Sequence, residues 1–290
     1  METIWTILVA SLAAVNCSLI GMYLVLRKAA MMGDAIAHAV LPGIVIAFLL
    51  AGSKTSLVVL IGAGSVGILA TLLMEFLHRQ VRLQSDASIG INFTWLFALG
   101  IILISFFSKN IDLDPDCILY GEIAYVPLDT WVGPGGINLG PRAVYILVVM
   151  LLANLGFILL SYKELSVTTF DPSFATSIGM NTALWHYLLM GATSFTTVAA
   201  FEVVGAILVV ALLVGPPATA YLLTQRLPKM LMIASLVGIL TAVGGYYLAI
   251  WVNGSMAGAM ATTAGCFFSA TLLVQQWKQK KPKALSNPIV

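Results

Sequence analysis

Charged side chains are so sparse and so grouped in this chain that they leave long uninterrupted apolar runs, and this limits what it can fold into. Nine runs lie at about 4–26, 34–51, 56–77, 87–107, 141–162, 183–201, 203–223, 230–252 and 257–277. A helix of about 20 apolar residues crosses the hydrocarbon core of a bilayer. Only 9% of the 290 residues are charged, against about 25% in soluble domains, and the mean hydropathy is +1.01. The sequence therefore predicts an all-α, polytopic membrane bundle of about eight or nine transmembrane helices, forming one domain over residues 1–290. The second run is short and is expected to be broken or partly re-entrant.

The placement of the basic residues sets an orientation. With Arg27-Lys28 on the cytoplasmic side, alternation puts Arg79, Arg82, Lys163, Arg226, Lys229, Lys278, Lys280, Lys281 and Lys283 there too, 11 of the 14 Lys and Arg. Lys54, Lys109 and Arg142 fall on the other side. This bias follows the positive-inside rule, so the N-terminus is expected outside and the C-terminus in the cytoplasm. The first run starts after Glu2 with no basic region before it, which reads as an anchor and not a cleaved signal peptide. Cys17, Cys117 and Cys266 are scattered; they make no metal-binding spacing, and no disulfide is expected.

Two loops are long. The outer one, 108–140, carries Asp112, Asp114, Asp116, Glu122 and Asp129, with a short interfacial helix expected over 117–125. The acidic cluster is either an ordinary solvated loop or a device that concentrates cations. The inner one, 163–182, has Asp171-Pro172 as an N-cap and first helical residue and Gly179 as a stop. These signals predict a short cytoplasmic helix that a soluble partner grips. Small residues recur at helix-packing spacing, at Gly62, Gly64 and Gly67 and again at Gly254, Gly258, Ala261 and Gly265.

Chemistry is concentrated in Gly33-Asp34-Ala35-Ile36-Ala37-His38-Ala39-Val40-Leu41-Pro42-Gly43. On a helix, residues i and i+4 share a face with Cβ atoms about 5–6 Å apart. Asp34 and His38 are thus within reach of one cation. Pro42 has no N–H, so the His38 carbonyl loses its helical donor, and such breaks in lipid line cavities or are buried in protein. The plainer reading makes Asp34 an N-cap after Gly33 and His38 a satisfied core histidine. Location decides between them, because ionisable groups inside a membrane are functional by default.

Glu202, where two runs meet, either joins the ion path or is solvated at an outer turn. Glu75 is expected to pair with Arg79 at i+4, and His78 and His186 read as interfacial anchors. Carboxylate and imidazole suit Mn, Fe(II) and Zn. Gly52-Ser53-Lys54-Thr55 lacks the earlier glycine and the adjacent Gly-Lys of a phosphate-binding loop. The chain is therefore not expected to hydrolyse nucleotide itself, nor to hold a permanent cofactor.

Several stretches resemble the Tro-type permease subunits of bacterial ABC importers for manganese, zinc and iron. They are Leu24 to Lys28, Gly33 to Gly43, Asp86-Ala87-Ser88-Ile89-Gly90-Ile91, Asp171 to Gly179, and Val204 to Val209 with Pro216 to Ala220. Pro217, where Ala is expected, and the acidic outer loop depart from the pattern. The resemblance implies a type II importer fold like the vitamin B12 permease minus a helix. It also implies a second permease, identical or paralogous, two cytoplasmic ATPases and an extracytoplasmic metal-binding protein as partners, with no nucleic acid. Asp34 and His38, joined by Glu202, become the expected metal ligands. Asp171, Pro172, Phe174, Ala175, Ile178 and Gly179 map onto the segment that docks in the ATPase groove. An iron-chelate or cobalamin permease of the same architecture, or a stand-alone secondary transporter, are the alternatives.

Overall fold

The computed structural model describes residues 2–51, 56–107, 123, 126, 130–132 and 138–280. Gly52 to Thr55, the acidic residues of the outer loop and most of the helix expected over 117–125 lie outside the described residues. The helices are α1 (Glu2–Leu26), α2 (Ala30–Ala39), α3 (Leu41–Ala51), α4 (Ser56–Arg79) and α5 (Ser85–Phe107), then α6 (Arg142–Leu160), α7 (Tyr162–Phe170), α8 (Pro172–Ser177), α9 (Thr182–Val204), α10 (Ala206–Leu223), α11 (Leu227–Val252) and α12 (Met256–Lys280). Strands β1 (Thr130–Val132) and β2 (Asn138–Pro141) pair antiparallel ahead of α6, with Thr130 opposite Pro141. Among the described residues nine helical spans are long and apolar enough to cross a membrane, α2 and α3 together supplying one of them over Ala30–Ala47.

Helix α1 is the axis of the bundle. It is apolar all round, which fits a helix enclosed on every side, and α6, α9, α10 and α11 all pack on it. Its small side chains Ala10, Ala13, Ala14 and Cys17 lie in one core cluster with Leu208, Leu212 and Leu213 of α10 and Ala242 of α11. Lipid tails are as apolar as leucine, so this packing rests on close contact and on buried hydrogen bonds. Asn154 of α6 supplies such bonds: its Nδ2 donates to Asn16 Oδ1 at 3.0 Å and to Thr196 Oγ1 of α9 at 2.9 Å. Asn16 in turn donates to the Leu147 carbonyl at 3.0 Å. Bonds of this kind average about 0.6 kcal/mol each in membranes, and together they tie three helices at one register.

The small-residue stretches behave differently from one another. On α4, a side chain at Gly62 would meet Ala47, one at Gly64 the Phe195 ring, and one at Gly67 the Ser194 hydroxyl. That stripe lets α3 and α9 approach, and Ser194 Oγ donates to the Gly64 carbonyl at 3.0 Å. On α12, Gly265 has open space where a Cβ would go and Gly258 meets only Ser255. Neither of these two glycines therefore marks a close approach of α12 to another helix among the described residues.

Three features depart from the sequence reading. The second span is broken at Val40, as expected of it, but it begins at Ala30, ahead of the apolar run at 34. Across the break Val40 N–H reaches the Ile36 carbonyl at 3.1 Å and Ile44 N–H the Val40 carbonyl at 3.1 Å. The inner loop holds a further helix, α7, that starts when Ser161 bends the chain. Its sequence is mostly polar, and tertiary contact decides it: Leu165 is fully buried in a cluster with Ile20 and Tyr23 of α1. Finally, α9 and α10 are separated by one residue, Gly205, at φ 79° and ψ 165°, a conformation essentially restricted to glycine.

One end of the bundle gathers basic residues. A cavity of about 920 Å3 there is lined by Leu26, Phe170, Arg226, Lys229 and Gln275, which brings the ends of α1, α7, α10 and α12 together with the start of α11.

Candidate functional site

Helix α2 is clasped on all faces but one. Ile36 and Val40 pack on Ala63 of α4 and Val198 of α9. Ala35 and Ala39 pack on Ala70 and Met74 of α4 and on Ile89 and Leu96 of α5. Gly33 sits beside Leu24 of α1 and Leu213 of α10. The accessible stripe that is left carries Met31, Asp34 and His38. Asp34 stands mid-helix, after the helix has begun at Ala30 with Ala29 as its N-cap, so it caps nothing.

On that stripe Asp34 Oδ1 and His38 Nε2 are 3.4 Å apart, with side chains 43% and 25% exposed. This is longer than the usual hydrogen-bond separation of about 2.9 Å. The His38 ring is held by Phe93 and Phe97 of α5, each with its centroid 5.5 Å away, the second edge-on at 84°. Sequence reasoning missed this pair, although their spacing of four on α5 puts both rings on one helix face. The His38 carbonyl, deprived of a donor by Pro42, is approached by the Val40 N–H.

Among the described residues no group of three or more His, Cys, Asp and Glu side chains is placed to hold a metal ion. Asp34 and His38 stand as a pair, and Glu202 lies exposed in the last turn of α9, not clustered with them. Glu75 faces His186 of α9, with Oε2 and Nε2 3.6 Å apart. That contact crosses helices, beyond the i+4 pairing expected for Glu75.

The short helix α8 forms as its signals predict. Asp171 Oδ1 accepts the Phe174 N–H at 2.9 Å. At the other end Gly179 takes φ 83°, and Met180 N–H donates to the Ala175 carbonyl at 3.0 Å, closing a Schellman stop. Ala175 is fully buried, while Phe170, Phe174 and Ile178 are each more than half exposed. Phe174 and Ile178, four residues apart on α8 and its C-cap, form an exposed apolar stripe beside exposed Asp171 and Pro172, while Phe170 lies on α7 across the non-helical Asp171.

The model of the ABC 3 transport family matches residues 2–275. The chain belongs to that family. It is a multi-pass membrane protein with the fold of an ABC permease. Among the ABC 3 relatives, the manganese transport system membrane protein MntD of Bacillus subtilis (strain 168) is 48% identical over 269 residues, covering 92% of this chain and 90% of that protein. The zinc transport system membrane protein TroD of Treponema pallidum (strain Nichols) is 42% identical over 271 residues, covering 93% of this chain and 73% of its own. A chain of PsaBC from Streptococcus pneumoniae, solved in complex with a Fab, superposes with a TM-score of 0.80 at 31% identity, covering 96% of this chain and 94% of that one.

Proposed function

We propose that this chain is the membrane-spanning permease subunit of an ABC importer that carries a divalent transition-metal ion, Mn, Zn or Fe, into the cytoplasm. The observation that carries the reading is the Asp34–His38 pair on the single accessible stripe of a helix clasped on its other faces. Two ligands about 2.1 Å from one ion at the tetrahedral angle stand about 3.4 Å apart, which matches the separation found. An anion and a neutral imidazole are a donor set for first-row dications. Two protein ligands are too few for an ion that takes four or more, so a second permease presenting the same pair would complete the shell. Glu202 is assigned to the ion's path and not to that shell.

The family relatives named for manganese and zinc support the substrate class. In this reading α8 docks on a cytoplasmic ATPase subunit through Phe174 and Ile178, the basic end of the bundle faces the cytoplasm, and the N-terminus lies outside. An extracytoplasmic binding protein delivers the ion at the opposite mouth. ATP-driven movement of the two ATPases, felt through α8, alternates access to the pair.

The test is ATP-dependent uptake into vesicles by the complex of this chain with its second permease and ATPase, comparing Mn, Zn and Fe with Mg as the control. Uptake of at least one transition metal is expected, and uptake of none would reject the reading. Asp171→Ala removes the N-cap of α8 and is expected to cost about 1 kcal/mol of local helix stability. Phe174→Asp places a charge in the docking stripe, and the ATPase should no longer co-purify with that variant.

A further inference from the structure

Arg27 has work beyond marking the basic side of the membrane. It ends α1, and its half-buried guanidinium reaches across to the last turn of α7. Nε donates to Thr169 Oγ1 at 3.0 Å and Nη2 to Thr168 Oγ1 at 2.9 Å. The Thr168 hydroxyl spends its own proton on the Glu164 carbonyl at 2.7 Å, which leaves its lone pairs for the arginine. Among the described residues no carboxylate lies within ion-pair distance of Arg27. Its charge instead faces the C-terminal end of α7, where the helix dipole is negative. Burial lowers its pKa from the ordinary arginine value, yet arginine stays protonated.

What lies on each side of this contact gives it meaning. Thr169 is followed by Phe170 and then by Asp171, the cap of α8. Arg27 is followed by Lys28 at φ 57°, then by α2. That turn is a closed Schellman stop, with Lys28 N–H on the Val25 carbonyl at 3.1 Å and Ala29 N–H on the Leu24 carbonyl at 2.8 Å. The turn is therefore stiff, and a displacement of Arg27 passes into the start of α2, which carries Asp34 one turn on. Leu165 also links α7 to α1, through apolar contact in one cluster with Ile20 and Tyr23. Apolar contacts tolerate sliding, whereas a planar fork on two hydroxyls fixes a register.

We propose that Arg27 is a positioning residue that couples α8 to the metal-bearing helix α2, its fork on Thr168 and Thr169 carrying the motion of the docked segment to Asp34 and His38. This rests on the reading of α8 as the ATPase dock and of Asp34 and His38 as the ion pair.

The experiment measures ions imported per ATP hydrolysed by the reconstituted complex, alongside metal binding at equilibrium. The variants are Arg27→Lys, the double change Thr168→Val with Thr169→Val, and Thr168→Ser with Thr169→Ser. Mutations along a coupling route change coupling on the order of 2–30-fold. Arg27→Lys and the valine pair should each lower ions per ATP by that much with metal affinity unchanged, and the serine pair should restore it. Arg27→Lys combined with the valine pair should be no worse than the poorer of the two, since they remove one interaction. A ratio unchanged in every variant overturns the proposal, as does a proportional fall in uptake and hydrolysis, or an additive loss in the combination. If Arg27→Lys does not assemble, the valine and serine pairs decide the matter alone. Loss of metal binding in Asp34→Ala reports on the ion site separately, so failure of the latch and failure of the site are told apart.

Discussion

Asp34→Ala and His38→Ala should each reduce metal uptake by about 10–100-fold or more while leaving the complex with the ATPase intact. Loss of a partner that merely orients a metal ligand costs about 10–100-fold, and loss of a ligand itself should cost no less. The folding cost of these changes should be small, because both side chains lie on the accessible stripe of α2 and neither fills the core. The packing that holds α2 comes from Ile36, Val40, Ala35 and Ala39, which are left untouched. Asp34→Asn is the sharper variant. It keeps the size and removes the anion, so it separates charge from shape and should fall nearly as far as alanine. Uptake in vesicles, set beside ATPase co-purification and equilibrium binding of the same ion, checks all three. Wild-type uptake by Asp34→Ala and His38→Ala would remove the pair from the ion's path.

Much of this architecture is legible in the sequence because lipid imposes it. In lipid a backbone is satisfied only within helices or a closed barrel, apolar runs of about 20 residues select helices, and the span boundaries follow from where Arg27, Arg79, Lys163 and Arg226 interrupt those runs. The α8 knob is equally local: Asp171, Pro172 and Gly179 act within a few residues of themselves. What the sequence hides is whatever depends on a distant partner. Helix α7 has no strong pattern of its own and exists because Leu165 finds a slot on α1. The Phe93–His38 and Phe97–His38 contacts join residues more than fifty apart. Arg27 was legible as a topology marker, but its hold on Thr168 and Thr169 spans more than 140 positions. Spacing also says nothing about which face a glycine stripe presents, and this is why Gly62 to Gly67 and Gly254 to Gly265 look alike in sequence and differ in the fold.

Gly21→Ala should be the most damaging single methyl in the chain. Pro217 of α10 has no N–H, so the Leu213 carbonyl four residues earlier has no helical donor. A freed carbonyl inside a membrane must be sheltered by protein. Here the α1 backbone at Gly21 is laid directly against it, and an added Cβ would be driven into the Leu213 carbonyl oxygen. A rigid backbone atom is in the way, so no side-chain rotation relieves the clash and the two helices must part. Overpacking of a core typically costs about 1–3 kcal/mol, and occasionally more; the upper end is expected because α1 and α10 share the central cluster. Gly156→Ala on α6 is the matched control. It has open space for a Cβ and should be neutral or gain up to about 1 kcal/mol in helix propensity. Thermal unfolding of the detergent-solubilised complex should then place Gly21→Ala several degrees below wild type and Gly156→Ala at or above it. The reverse order would show that α1 does not rest on the Leu213 carbonyl. Damage at Gly21 should also reach the ion pair: the Leu213 side chain borders Gly33, one residue before Asp34, so pushing α10 away loosens the bed on which α2 lies, and Gly21→Ala should lose metal affinity along with stability.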